Sequence, residues 1–283
     1  MTSYVRIITD SACDLPDALV QQLGIEVVPL FIRFGDDELI DREQLTTSQF
    51  WERCTTESDL PTTAAPSPGR FKESIERLRG EGATGVVIIN LSSAMSGTMQ
   101  SAEVAAAELK ESLDIRVVDS RTVTMGLGSI VIACARAAQG GSSIDEVEAM
   151  AHDLASRSKV WGALDTLENL RKGGRIGGAK AMLGSVLSVK PIIEVRDGSV
   201  QEGGKVRTRS KALAFLVDKV REAMIHPGIS QLSVLTAASS DVDTFMAQLK
   251  TVYEGEIIVG EIGAVVGSHA GRGTIGVAYF ENR

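Results

Sequence analysis

The chain has 283 residues, a net charge of −8 and a hydrophobic share of 43 %, enough for one large or two ordinary domains. Its isoelectric point of about 5.1 excludes the basic footprint of nucleic-acid binding, so we expect no nucleic-acid partner. Its three cysteines lie far apart without CxxC spacing, which argues against a disulfide framework or a zinc site.

We expect no targeting segment in this chain. The first six residues lack a basic region followed by an apolar one, so we expect no secretory signal. The uncharged stretch 122–135 is too short to span a bilayer. We therefore predict a cytoplasmic protein with no integral membrane segment, no metal and no cofactor other than its ligand.

The first half of the chain alternates predicted strands with predicted helices. The β-branched runs predict strands at 4–9, 25–34, 84–90 and 115–119. Helical patterns lie between and beside them at 16–23, 46–55, 67–80 and 97–112. Such alternation builds a parallel sheet through right-handed crossovers.

The pattern changes after residue 126. Helices are predicted at about 126–139 and 143–156, the second capped by Ser142 or Ser143. A hairpin at 189–196 and 199–207 turns at Asp197-Gly198. The rest reads as helices at about 210–224 and 241–252 and strands at 231–236, 256–262 and 274–280.

These elements predict an α/β protein of two domains. We place the boundary near residue 158, which gives an N-terminal α/β domain at 1–158 with a parallel sheet. The C-terminal α/β domain, 159–283, then has a mixed sheet. The aromatic share is only 4 %, so the core is aliphatic, as suits a parallel sheet or an aliphatic ligand chamber.

Three short loops are crowded with hydroxyl groups: 9–11, 61–68 and 92–98. The first and third directly follow apolar, β-branched runs. In an open α/β sheet such loops converge beyond the carboxyl ends of the strands, where ligands bind. None of them contains Lys or Arg, which favours neutral donors for one small anionic group.

The loops and their order resemble the DegV family. The matching segments run nearly end to end through the chain: 9–16, 63–67, 91–102, 118–120, 167–176, 205–209 and 267–276. Four positions depart from the family pattern. Ala64-Ala65 replace Ser-Gln, Met99 replaces a common Tyr, and Arg272 stands where Pro is frequent.

The resemblance implies a function. Members of the family are bacterial fatty-acid-binding proteins of two α/β domains that enclose the acyl chain between them. Some are the binding subunit of a fatty acid kinase and present the carboxylate to a separate ATP-dependent subunit, which makes an acyl phosphate. For this chain it implies a long-chain fatty acid as ligand and such a kinase as partner, in a protein that is itself not an enzyme.

The resemblance also assigns residues. The carboxylate-binding threonine falls on Thr63, the serine pair on Ser92 and Ser93, and the C-terminal histidine on His269. We add Ser96 to this set, although it is also a predicted helix N-cap. As an imidazolium, His269 would pair with the carboxylate.

Two basic segments each have a structural and a functional interpretation. The segment 205–209 is by default a solvated strand end, and the resemblance makes Arg207 and Arg209 candidates for contact with the kinase. The segment 171–175 lacks the G-x-x-x-x-G-K-[ST] pattern of a phosphate loop, and we interpret it as a turn with basic flanks.

Other interpretations stay open. The serines after a strand can simply cap the next helix. A serine hydrolase or acyltransferase would use Ser93 or Ser96 as nucleophile, His269 as base and Asp10 as orienter, although no G-x-S-x-G elbow is present. A scaffold that acts through a partner surface, with an incidental pocket, is the third.

Overall fold

A computed structural model describes residues 4–57, 59–184 and 189–283. The first three residues, on which the expectation about a secretory signal partly rests, lie outside these ranges. Within them, no helix is long and apolar enough to cross a membrane.

The first part of the chain forms two sheets and the helices that cover them. Its elements are β1 (Val5–Asp10), α1 (Asp17–Leu23), β2 (Glu26–Val28), β3 (Phe31–Phe34), β4 (Asp37–Ile40), α2 (Thr47–Thr56), β5 (Thr62–Ala64), α3 (Pro68–Gly80), β6 (Gly85–Asn90), α4 (Thr98–Leu109), β7 (Asp114–Asp119), α5 (Met125–Gln139) and α6 (Ile144–Arg157). A four-stranded parallel sheet has the order β2-β1-β6-β7, and an antiparallel one has the order β4-β3-β5.

The second part forms one mixed sheet. Its elements are β8 (Ser158–Ala163), α7 (Glu168–Lys172), β9 (Lys190–Arg196), β10 (Ser199–Val206), α8 (Arg209–Ile225), β11 (Ile229–Thr236), α9 (Val242–Leu249), β12 (Ile257–Glu261), α10 (Ala264–Ala270) and β13 (Ile275–Glu281). The six strands lie in the order β10-β9-β8-β13-β11-β12, with β11 and β12 parallel and the other pairs antiparallel.

The predicted α/β class, with a parallel sheet in the N-terminal part and a mixed sheet in the C-terminal part, is confirmed. The six-stranded sheet begins at Ser158, next to the boundary that we proposed near residue 158. The division into two domains at that residue stays a prediction. Ser143 is the cap of α6: its hydroxyl accepts from the amide of Glu146, whose side chain accepts from Ser143 in return.

Two predictions about elements are wrong. The expected single strand at 25–34 is two strands in different sheets, because Pro29 between them cannot continue a ladder. The loop 61–68 contains β5, which pairs with β3. The short helix α10 also escaped the sequence analysis.

Helix α5 joins the two larger sheets. It contacts β1 on one side and β8, β11 and β13 on the other. Its residues from Met125 to Ile132 are all buried, as expected of a helix that is apolar on every side. Gly128 permits this packing, because a Cβ there would lie 2.6 Å from the carbonyl oxygen of Cys13. The two sheets therefore share a core behind the site described next.

Candidate ligand-binding site

A cavity lies between the N-terminal and C-terminal parts of the chain. It encloses about 800 Å³ of space, solvent at its mouth included. Most of its wall is aliphatic, with side chains from both parts such as Leu30, Leu91, Val160, Leu164, Val195 and Val265. Such a wall suits an unbranched or branched hydrocarbon.

Six polar side chains also line this cavity, and we call four of them the polar cluster: Thr63, Ser96, Arg175 and His269. They come from four separate segments of the chain. Thr63 lies on β5, Ser96 in the loop before α4, Arg175 in the turn after α7 and His269 near the end of α10. The fold, not one motif, brings them to the same cavity.

Strand β5 sets the direction of the Thr63 side chain. β5 pairs antiparallel with β3, with Thr63 opposite the buried Ile32. Since side chains alternate along a strand, its neighbours Thr62 and Ala64 are exposed while Thr63 is half-buried. The Thr63 Oγ1 lies 3.0 Å from the Nε2 of His269, within hydrogen-bond distance. The two residues that the resemblance paired with a carboxylate thus contact each other.

His269 is neutral in the ligand-free protein. Burial, and to a smaller extent the positive charge of Arg175, lowers the pKa of its imidazole to about 4. Its Nδ1 is buried with no hydrogen-bond partner in the described part of the chain. The ring packs against the backbone of Gly173, where a Cβ would lie 2.3 Å from Nδ1. The pairing of a charged His269 with a bound carboxylate stays a prediction.

Arg175 is the member of the cluster that the sequence analysis missed. Its Nε donates to the carbonyl oxygen of Met95 at 3.1 Å, and its Nη1 donates to that of Gly173 at 2.8 Å. The first bond crosses from one side of the cavity to the other. The match at 167–176 was the only signal for this residue, because a basic Gly-rich turn has no distinctive pattern.

The serines of the third loop have separate roles. Ser96 lines the cavity, and its hydroxyl lies 2.9 Å from that of Thr98 and accepts from the Thr98 amide at the start of α4. The buried Ser92 donates to the carbonyl oxygen of Gly198 at 2.7 Å. The exposed Ser93 donates to Asp119 at 2.5 Å. The structure does not bring Ser92 and Ser93 to the wall of this cavity, and their contact with a carboxylate stays a prediction.

The two arginines predicted to meet a partner differ. Arg207 is exposed, and no ion pair or hydrogen bond of its side chain appears among the described residues. Arg209 is half-buried, with its Nε donating to Asp241 at 2.7 Å and its Nη2 to the carbonyl oxygen of Gly273 at 2.7 Å. Arg209 therefore ties α8 to neighbouring loops, and Arg207 is the freer of the two.

The structure does not assemble the Ser-His-Asp arrangement considered as an alternative. Both oxygens of the buried Asp10 accept hydrogen bonds within its own part of the chain, from Ala12, Asn90 and Leu91. His269 Nδ1, which an orienting carboxylate would hold, has no such partner among the described residues. The described residues also contain no group of three or more His, Cys, Asp or Glu side chains that could hold a metal ion.

The chain matches a family model over residues 4–282, described as an uncharacterised protein of the DegV family. It is 35 % identical over 281 residues to a DegV domain-containing protein of Streptomyces coelicolor, with 98 % of each chain covered. The fold and the site together define a class of protein: an α/β protein with an aliphatic cavity and a polar cluster on its wall. This chain belongs to the DegV family.

Solved structures give the same fold. A DegV family protein from Thermus thermophilus, described by its fatty acid binding, is 31 % identical, with a TM-score of 0.88 and coverage of 99 % of this chain and 100 % of that one. DegV from Bacillus subtilis, described as a fatty acid binding protein, is 27 % identical, with a TM-score of 0.87 and coverage of 99 % and 100 %.

Proposed function

We propose that this protein binds a long-chain fatty acid, with its carboxylate at the polar cluster and its hydrocarbon along the aliphatic wall. The observation that carries the proposal is the combination of one aliphatic cavity with one group of hydrogen-bonding side chains on its wall. The fatty acid binding described for the proteins of Thermus thermophilus and Bacillus subtilis supports it.

The two parts of such a ligand would contribute different energies. Burial of hydrocarbon stabilises the complex by about 0.8 kcal/mol per methylene, on the order of 10 kcal/mol for a long chain before the cost of ordering it. Each hydrogen bond to the carboxylate contributes roughly 1.5–3 kcal/mol. Burial of the hydrocarbon therefore keeps the fatty acid bound, and the polar cluster determines that its carboxylate end lies at the cluster.

Thr63 and His269 are the best supported contacts for the carboxylate. Their Oγ1 and Nε2 atoms lie 3.0 Å apart, so one carboxylate can receive a hydrogen bond from each. Ser96 borders the same cavity. Ser92 and Ser93 belong to the proposal only if the third loop rearranges, because their hydroxyls are engaged with Gly198 and Asp119.

We further propose that the bound carboxylate is presented to a separate ATP-dependent kinase subunit. Thr63, Ser96 and His269 are uncharged donors in the ligand-free protein, so they hold a carboxylate without closing it into a buried ion pair. Arg175, the one charged member of the cluster, is exposed and marks the side nearest solvent. Arg207 is the surface residue that we assign to contact with this partner.

The experiment is mass spectrometry of lipid extracted from protein purified from a bacterial host. We expect about one long-chain fatty acid per protein molecule. Protein stripped of lipid should take up added stearic acid in the same ratio. Stripped, folded protein that binds no fatty acid would contradict the binding proposal. Fatty acid binding without transfer of phosphate from ATP, in the presence of a kinase subunit, would contradict only the second proposal.

A further inference from the structure

Asp14 is a buried carboxylic acid that the proposed site does not use. It follows the 3-10 helix Ser11–Cys13, which directly follows β1, and the residue is only 5 % exposed. Its φ of 49° is in the left-handed region, which favours Asn, Asp and Gly. Burial raises the pKa of this carboxyl to about 7. The burial of this carboxyl and its left-handed backbone both cost free energy, which a specific contact would offset.

That contact is the start of α10. Asp14 Oδ1 accepts a hydrogen bond of 2.9 Å from the amide of Gly263, the residue just before the helix. Asp14 belongs to the N-terminal part of the chain and Gly263 to the C-terminal part, so the bond crosses between them. A Cβ at position 263 would lie 3.2 Å from the same oxygen, which leaves little freedom for either group.

The opposite end of α10 carries His269. The helix has only seven residues, and His269 is the last but one. A helix this short has little stability of its own, so its position depends on what holds its ends. In the middle, Gly267 lies so close to Phe50 and Trp51 that a Cβ there would come within 2.8 Å of both rings. The helix is thus held at its start and in its middle, and a movement at Gly263 would tilt it about the contact at Gly267 and displace His269 at the other end.

A residue of the cavity wall lies next to the same carboxyl. The hydroxyl of Thr124 lies beside it and offsets part of the rise in the pKa of Asp14. Thr124 lines the cavity and has a φ of 54°, unusual for a β-branched residue. Its amide is held by the carbonyl oxygen of Ala12 at 2.8 Å. Asp14 thus lies between the cavity wall and the helix that bears the imidazole.

We propose that Asp14 is a positioning residue for the ligand site: through the amide of Gly263 it fixes the start of α10 and thereby the position of His269 beside Thr63. The inference rests on the proposed function, since His269 matters as a contact for a carboxylate. Asp14 itself does not touch the ligand. The feature that acts is the hydrogen-bond acceptor, not the negative charge.

Three variants separate these roles. Asp14→Gly removes the acceptor and accepts the left-handed backbone. Asp14→Asn keeps a carbonyl oxygen at the same place and also tolerates that backbone. Asp41→Asn is the matched control. Asp41 is equally buried, and burial likewise raises the pKa of its carboxyl, to about 6, but its described contacts do not include α10. Thermal unfolding shows which variants are folded.

The readouts are the NMR titration of the His269 imidazole without ligand and the affinity for stearic acid. The chain has only three histidines, so a His269→Gln variant assigns the resonance. For Asp14→Gly we expect the pKa of His269 to rise from about 4 toward its ordinary value of 6.5 and the affinity to fall about tenfold or more. Asp14→Asn and Asp41→Asn should leave the resonance in place and the affinity within about threefold.

Two results would overturn the proposal. One is a folded Asp14→Gly protein whose His269 resonance and affinity match the wild type. The other is an Asp14→Asn protein whose His269 resonance moves strongly, which decides the matter even if Asp14→Gly does not fold. Failure of wild-type protein to bind stearic acid would instead refute the proposed function, and the titration of ligand-free His269 would still test the role of Asp14.

Discussion

The polar cluster and the aliphatic wall of the same cavity are built in different ways. The wall contains many side chains of similar chemistry from both parts of the chain, such as Val160 and Val195 from the mixed sheet and Leu30 from the N-terminal part. The cluster contains four side chains from four segments, and its Thr63–His269 contact spans 206 residues of sequence.

Because of this difference, the wall depends on the volume of its side chains, and the cluster depends on the position of each side chain. A wall of interchangeable aliphatic groups depends on how much space they leave, and the exchange of one for another of similar size costs little. A cluster of single donors depends on where each one lies, and none can replace another. We therefore expect substitutions in the wall to act through the volume they add, and substitutions in the cluster to act through single hydrogen bonds.

The largest effect is expected for Gly162→Leu, which adds a side chain to the wall on β8. The four added carbons would displace roughly four methylenes of ligand, about 3 kcal/mol or a hundredfold in affinity for stearic acid. Calorimetric titration measures this loss. The matched control is Gly80→Leu, at a position with open space around it, which should bind as the wild type does. Equal affinities for the two variants would show that the ligand does not lie against β8.

The next effect is expected for Thr63→Val, which removes one hydroxyl and keeps the shape of the side chain. Loss of a hydrogen bond to a carboxylate costs roughly 1.5–3 kcal/mol, so affinity should fall about tenfold or more. Thr62→Val changes the exposed neighbour on the same strand and should change affinity less than about threefold. An unchanged affinity for Thr63→Val in the same titration would remove Thr63 from the carboxylate site.

A smaller effect concerns pH, because the imidazole of the polar cluster and three buried carboxyls titrate, whereas the aliphatic wall does not. Burial raises the pKa of Asp10 and Asp41 to about 6 and of Asp14 to about 7, so between about pH 8 and 6 the folded protein binds more protons than the unfolded chain. His269, whose pKa is lowered to about 4, acts in the opposite sense below about pH 6.5.

The three carboxyls outweigh the one imidazole over that range, and the free energy of unfolding should rise by roughly 1 kcal/mol as the pH falls from 8 to 6. Denaturant unfolding of the ligand-free protein at several pH values measures this. Asp14→Asn should flatten the dependence more than Asp41→Asn. A stability that falls steadily from pH 8 to 6 would show that these carboxyls are ionised in the folded protein.

The smallest effect distinguishes the serines of the third loop. Ser93→Ala removes a hydroxyl that is bonded to Asp119, so fatty acid affinity should change less than about threefold. Ser96→Ala removes a hydroxyl on the cavity wall and should have the larger effect of the two. A tenfold loss for Ser93→Ala would mean that the loop rearranges around the ligand and would restore Ser93 to the carboxylate site.

The sequence was sufficient for the fold class, because periodicity and capping are local. The helices α5 and α6 were both predicted within two residues of their observed bounds, and Ser143, one of the two caps considered for α6, is the cap observed. Short elements were harder. β5 has three residues and exists only through its pairing with β3, and α10 has seven and depends on contacts with distant segments.

The site was predicted only in part, for the same reason. Resemblance to a family indicated Thr63 and His269, which the fold does bring together. Hydroxyl content alone could not separate Ser96 on the cavity wall from Ser92 and Ser93, since all three lie within five residues of one loop. Arg175 contacts Met95 and Asp14 contacts Gly263, each far away in sequence, and no local pattern encodes those contacts.

The most direct test of the account compares stearic acid with its methyl ester in calorimetric titration of the wild-type protein. Both share the hydrocarbon that the wall would bury, and only the acid presents a carboxylate to the polar cluster. We expect the acid to bind at least tenfold more tightly, since hydrogen bonds to a charged group are about twice as strong as neutral ones. Equal affinities for acid and ester would contradict the claim that Thr63 and His269 hold the carboxylate.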